Sequence, residues 1–234
     1  MFTAAVTNAD RNFSPTEKPF MSSYRLSKSA EFWDRHARKY DKSNIEDEVE
    51  YKSVLNATCT FLNSSQHALE IGCGTGSTAM VLAPHVSYYS GTDISPEMIT
   101  ICNEKKALTN VDSLNFSVGS PETVVAPTEG FDVVLAFNMI HLVDNPAGAI
   151  RQVNKLLKPD GLFISNTPCL SDSLFFSLLR GPVAIAERLR LAPKVKFFTT
   201  AQLDRDVESA GFEKIQGYTT STSVRRRFLV AKKL

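Results

Sequence analysis

The chain has 234 residues, 43% of them apolar and 22% charged, with 26 Lys and Arg against 25 Asp and Glu. This fits one substantial domain with a well-buried core. The near-neutral balance gives no electrostatic footprint for nucleic acid or an anionic surface, and no run of about 18 apolar residues offers a membrane span.

Residues 1–25 are polar and contain proline, without the basic start and apolar stretch of a secretory signal, so they read as a loose tail of a cytoplasmic protein. Residues 26–65 carry two helices. The first, 28–41, places Phe32, Trp33, His36 and Tyr40 near one stripe; the second, 46–63, uses Val49, Val54, Leu55, Phe61 and Leu62. A strand–helix rhythm then fills 66–168. Strands are expected at 67–71, 87–93, 113–119, 131–137 and 162–167, with helices at 77–85, 95–108 and 145–158. Ser95 and Asn145 sit at N-cap positions, followed by Pro96 and Pro146 at the first helical position, where a missing N–H costs nothing. Such alternation implies parallel strands with right-handed crossovers, hence a doubly wound α/β sheet. Residues 169–198 break the rhythm with apolar helices (Leu174, Phe175, Phe176, Leu178, Leu179) that read as a cap. Residues 199–234 close the chain with a helix and an antiparallel hairpin. Arg225, Arg226 and Arg227, with Lys232 and Lys233, fall on alternate faces of the last strand and read as a solvated sheet edge.

The stretch "LEIGCGTGST", Leu69 to Thr78, places Gly72, Gly74 and Gly76 directly after a buried strand. Ligands bind beyond the carboxyl ends of such strands, and glycines there let the backbone approach a ligand with no intruding Cβ. Ser77 is a candidate cap for the next helix. The G-x-G-x-G spacing does not match the G-x-G-x-x-G pyrophosphate cradle. Glu70, just before the loop, would repel a diphosphate and suits a ligand bearing an ammonium group. Asp93 ends the next strand, where an acid can accept hydrogen bonds from both ribose hydroxyls.

"LEIGCGTG", "GTDIS", "FDVVLAFNMIHLV" and "LLKPDGLFI" resemble, in order, the class I S-adenosylmethionine (SAM)-dependent methyltransferases. "FWDRHARKYDKS" is similar to the N-terminal helix of small-molecule members. The resemblance implies a Rossmann-like, seven-stranded sheet with an antiparallel last strand. It implies SAM as cofactor, with Gly72, Gly74 and Gly76 against the methionine part, Asp93 on the ribose, and Ile94 and Met98 on the adenine. Ser120 stands where many members carry an acid for the adenine amino group. Cys73 lies within the loop as a small filler, and Asn138 and His141 lie at the rim where cofactor and acceptor should meet. His141 reads either as a rim histidine packed beside the cofactor or as a base. Trp33 and Tyr40 read either as core residues or as a lid and acceptor wall, with Tyr40 a second candidate for the chemistry.

The four cysteines (Cys59, Cys73, Cys102, Cys169) and four histidines (His36, His67, His85, His141) show no ligand spacing, so no metal is expected. The expected activity is methyl transfer to a small, largely apolar acceptor: a thiol, amine, hydroxyl or quinone-like ring. The chain is expected to act as a monomer or homodimer, without nucleic acid. The alternatives are an enzyme methylating RNA or protein, and a SAM-binding protein without catalysis.

Overall fold

The central strands of the sheet place alternate side chains in two apolar layers, each covered by helices. A computed structural model describes residues 27–45, 47–109, 111–220 and 224–234; the tail expected over 1–25 lies outside them. The first helices are α1 (Lys28–Asp41) and α2 (Glu48–Cys59). Then come β1 (His67–Ile71), α3 (Ser77–Leu82), β2 (Tyr88–Asp93), α4 (Pro96–Lys106), β3 (Leu114–Val118), β4 (Phe131–Phe137), α5 (Pro146–Leu156) and β5 (Leu157–Pro168). Two short helices, α6 (Leu174–Leu178) and α7 (Arg180–Arg188), precede α8 (Thr200–Ser209), β6 (Phe212–Thr219) and β7 (Arg226–Lys233).

The seven strands lie in the order β3-β2-β1-β4-β5-β7-β6. Strands β1 to β5 pair in parallel, and β7 runs antiparallel between β5 and β6. The expected doubly wound sheet with its closing hairpin is therefore present. On one face Leu69, Ile71, Val134, Ala136 and Phe163 pack with α5 residues Ile150 and Val153 and α8 residues Leu203 and Val207. On the other, Ala68, Val133, Leu135 and Ile164 pack with Val54 and Leu55 of α2 and Leu82 of α3. Alternate residues of one strand thus serve opposite layers, which is why the buried stretches of these strands are mainly apolar.

Four local expectations change. The helix expected over 46–63 ends at Cys59, yet Phe61 and Leu62 still pack on the α2 layer. Ser77 does not cap α3; Gly76 does, with φ 78°, and Ser77 instead accepts from Lys105 Nζ at 3.1 Å. The strand expected over 162–167 extends over Leu157–Pro168, with Asp160 at φ 62° and a slip in the register with β4 between Phe131 and Val133. The basic run is not a solvated edge, because the edge strand is β6. Arg227 is buried on a bidentate pair with Asp204 (3.0 and 2.8 Å), and Arg226 pairs with Glu50 at 3.2 Å.

The cap also differs from expectation. Neither α6 nor α7 contains a buried residue; Leu174, Phe175, Leu178 and Ile185 are exposed, and Phe176 and Val183 are half-buried.

Candidate functional site

The sheet order reverses between β1 and β4, and beyond the carboxyl ends of these strands lies a cavity of about 1030 Å³. It runs from the loop after β1 to the ends of β4 and β5, roofed by α1 and the start of α2.

The three loop glycines have separate reasons. All take positive φ (66°, 54° and 78°), which any other residue adopts only with strain. A Cβ on Gly72 would lie 2.7 Å from Met139 Cβ, and one on Gly76 would lie 2.9 Å from Cys102 Sγ. These two are excluded by packing rather than by a ligand. A Cβ on Gly74 would meet only Tyr40, at 3.7 Å, so Gly74 faces the open cavity.

Asp93 fastens the loop. Its Oδ2 accepts the Gly74 N–H at 3.0 Å and its Oδ1 accepts the Ser95 N–H at 2.9 Å. The Ile94 backbone adds a third interaction, and Asp93 also lines the cavity. Burial holds the Asp93 carboxyl above its ordinary pKa. Glu70 is more extreme. It is 2% exposed and accepts the Tyr89 hydroxyl at 2.8 Å, and burial pushes its pKa up to about 8. A carboxyl this costly to ionise alone suits a cationic ligand, which would repay its desolvation.

Helix α1 is strapped over this end through α4. Asp34 Oδ1 accepts both the Ser95 hydroxyl (2.9 Å) and the Glu97 N–H (2.8 Å). Arg38 reaches Glu97 and Glu104, and Lys105 reaches Asp41. Trp33 packs edge-on to Tyr40, with centroids 6.1 Å apart, and against the Ala37, Met98 and Ile101 cluster. Tyr40 remains half exposed and lines the cavity. Burial, with Asp93 nearby, raises its pKa, so its phenol stays protonated.

Ile94 and Met98 line the wall beside Asp93. The Ser120 N–H is taken by Thr123 Oγ1 at 2.8 Å, and the same tight turn places Glu122 on the cavity rim. Cys73 also lines the cavity, but its thiol is buried beside Cys102 with a pKa well above the ordinary value, so it is no thiolate. At the end of β4, Asn138 takes φ 54° and donates its N–H to Asn166 O at 2.8 Å.

His141 lies beyond it, its Nδ1 buried and without a partner among the described residues. Burial and the positive Arg226 bring its pKa down to about 4. Asp144, the acid nearest in sequence, does not orient this imidazole; it pairs with Lys194 at 2.6 Å. Glu50, Tyr51, Asn166, Pro193, Val195 and Arg226 also line the cavity.

The profile of the family described as "Methyltransferase domain" matches residues 36–216, more than three quarters of the chain. The chain belongs to the methyltransferase-domain family. It is 28% identical over 111 residues to the uncharacterized methyltransferase YcgJ of Bacillus subtilis, covering 47% of this chain and 43% of that protein. It is also 28% identical over 155 residues to a ubiquinone biosynthesis O-methyltransferase of Neisseria meningitidis, covering 63% of this chain and 64% of that protein. The matched stretches thus span less than two thirds of either relative. Among solved structures, the magnesium protoporphyrin IX methyltransferase of Synechocystis, bound to S-adenosylhomocysteine (SAH), has a TM-score of 0.65 at 15% identity. That match covers 88% of this chain and 98% of the other, and establishes likeness of fold.

The resemblance read from the motifs is therefore borne out: the fold is that of the class I SAM-dependent methyltransferases. The residues of this methyltransferase-domain chain fit that class's cofactor, on two observations. Gly74 leaves an open cradle beneath Tyr40, and Glu70 is a buried carboxyl with no ion pair among the described residues. The sequence reading brought Glu70, Gly74, Asp93, Tyr40 and His141 to one cavity but missed Glu122, Asn166 and Arg226. Asn166 was accessible to the rule that strand carboxyl ends line the site. Arg226 was not: it reaches the cavity only because β7 pairs with β5 in the register Pro168↔Arg226.

Proposed function

We propose that this chain transfers the methyl group of SAM to a small, largely apolar acceptor bound between Tyr40, His141 and Asn166. The observation carrying this reading is one cavity with two chemically different ends. Its volume of about 1030 Å³ lies at the upper limit of about 300–1,000 Å³ for pockets that hold one drug-sized ligand. That leaves room for an acceptor beside a cofactor.

The bound sulfonium supplies an electrophilic methyl group, so the chain's work is binding and alignment. Glu70 faces the cofactor's ammonium group, and Asp93 accepts from the ribose hydroxyls. Ile94 and Met98 hold the adenine. Glu122, rather than Ser120, supplies the carboxylate for its amino group. Tyr40, above Gly74, would supply an aromatic wall to the positive centre, a group favourable to cations. Asn138, held at strained φ, shapes the passage between the two ends.

His141 acts by position. A base works best with a pKa near the working pH, and about 4 is far below it. Its neutral imidazole forms part of the wall against which the acceptor packs. The acceptor then loses its proton through its own acidity, as a thiol or a phenol-like hydroxyl does, or needs no ionisation, as a free amine does. The test is a panel assay for SAH release against thiols, phenols, amines and quinone-like rings. Turnover with at least one small acceptor is expected. Turnover confined to RNA or protein substrates would overturn the reading.

A further inference from the structure

The segment between β5 and α8 leaves apolar side chains in water. Leu174, Phe175, Leu178, Ile185, Leu189 and Leu191 are 61–89% exposed, and none of them lines the cavity. Single exposed leucines are ordinary, but six large ones within 18 consecutive residues form the kind of surface that marks an interaction site. The same stretch is basic. Residues 174–196 hold Arg180, Arg188, Arg190, Lys194 and Lys196 against one acid, Glu187, in a chain whose formal net charge is only +1.

We infer that α6, α7 and the residues up to Lys196 dock this protein on an anionic lipid surface. Short helices with exposed Leu, Ile and Phe beside Lys and Arg have the character of interfacial segments, with apolar groups entering the acyl boundary and cations facing lipid phosphates. The charge selects this occupant over a second copy of the chain, whose equally basic segment would face its own like. No described helix is long and apolar enough to cross a membrane, so the segment lies on the surface.

The residues that lead from α7 to α8 explain what docking achieves. Pro193 and Val195 line the cavity, Lys196 N–H donates to His141 O at 2.7 Å, and Lys194 pairs with Asp144. At the other side Arg190 approaches Glu31 of α1 at 3.9 Å. The lipid-facing patch is thus continuous with the wall of the acceptor end. A lipophilic acceptor could pass from the bilayer into the cavity without crossing water. This last step rests on the proposed methyl transfer; the docking itself does not.

The experiment is vesicle flotation of the full chain with phosphatidylcholine alone and with phosphatidylcholine mixed with phosphatidylserine. The protein should float with the mixed vesicles, and less so as salt rises. The double variant Leu178→Glu, Ile185→Glu should bind them about tenfold more weakly or worse. Both side chains are exposed, so its melting temperature and its calorimetric SAM affinity should match the wild type. Absence of flotation with the mixed vesicles would overturn the proposal, as would equal binding by the double variant. A lipid-free dimer seen by analytical ultracentrifugation and dispersed by the double variant would also overturn it, by assigning the face to a second copy. Failed flotation with intact SAH production would refute docking alone.

Discussion

Glu70 should give up a proton when the cofactor arrives. In the free protein its pKa of about 8 leaves it roughly nine-tenths protonated at pH 7. An opposite charge within hydrogen-bonding range lowers a carboxyl pKa by about 1–3 units. Binding of the SAM ammonium group at pH 7 should therefore release roughly 0.4–0.9 of a proton from Glu70. The assay is calorimetric titration of SAM in phosphate and in Tris, whose ionisation enthalpies differ widely. The observed enthalpy should depend on the buffer in wild type and much less in Glu70→Gln. Affinity should rise with pH from about 6 and level off at about pH 7.5–8, where an α-amino group (pKa about 8) begins to lose its proton. The free protein carries the matching signature. A carboxyl whose pKa is raised on folding binds more protons folded than unfolded, so this contribution to stability falls as pH rises from about 4.5 to about 8. Glu70→Gln should flatten that slope. A buffer-independent enthalpy in wild type would mean that Glu70 is already charged or does not sense the cofactor, and the electrostatic argument would fail.

Gly74→Val should fold, at a cost of about 1–2 kcal/mol for its left-handed φ, but lose SAM affinity about tenfold or more; unchanged calorimetric affinity would remove the loop from the site. Asp93→Ala removes contacts worth about 1.5–3 kcal/mol each and should weaken SAM at least tenfold, whereas Ser120→Ala should change little and Glu122→Ala more. His141→Ala should lower turnover by far less than the roughly hundredfold expected on losing a base, and the wild-type rate should show no ionisation near pH 6.5. Because its pKa is lowered on folding, His141 should contribute stability that fades as pH falls from about 6.5 to about 4, visible as a steeper acid melting curve in wild type than in the variant. Asp34→Ala should free α1 from the start of α4 and raise the KM for SAM with little change in the far-UV spectrum.

The parts of this fold legible in the sequence were those set locally. Capping at Ser95 and Asn145, with proline after each, marks two helix starts, and both side chains accept the expected backbone N–H. The glycine triplet after β1 marks the loop. What escaped was set by tertiary partners. Ser77 reads as a cap, but the left-handed Gly76 takes that place. Arg226 and Arg227 look like solvated charge until β7 is known to be interior, with Glu50 and Asp204 waiting on the neighbouring layers. The apolar run at 174–179 reads as a cap, because composition shows how much apolar surface a segment carries but not which way it faces. Averages misled in the same way: a chain with net charge near zero still concentrates five cations in 23 residues.

The central claim is that one cavity holds the cofactor between Gly74, Tyr40 and Asp93, and opens from there toward His141. A crystal structure of the chain with SAH tests it most directly. The account predicts both ribose hydroxyls within hydrogen-bond distance of Asp93, and the sulfur beneath Tyr40 facing the space bounded by His141 and Asn166. Ordered SAH with its ribose away from Asp93, or its sulfur turned from that space, would contradict it.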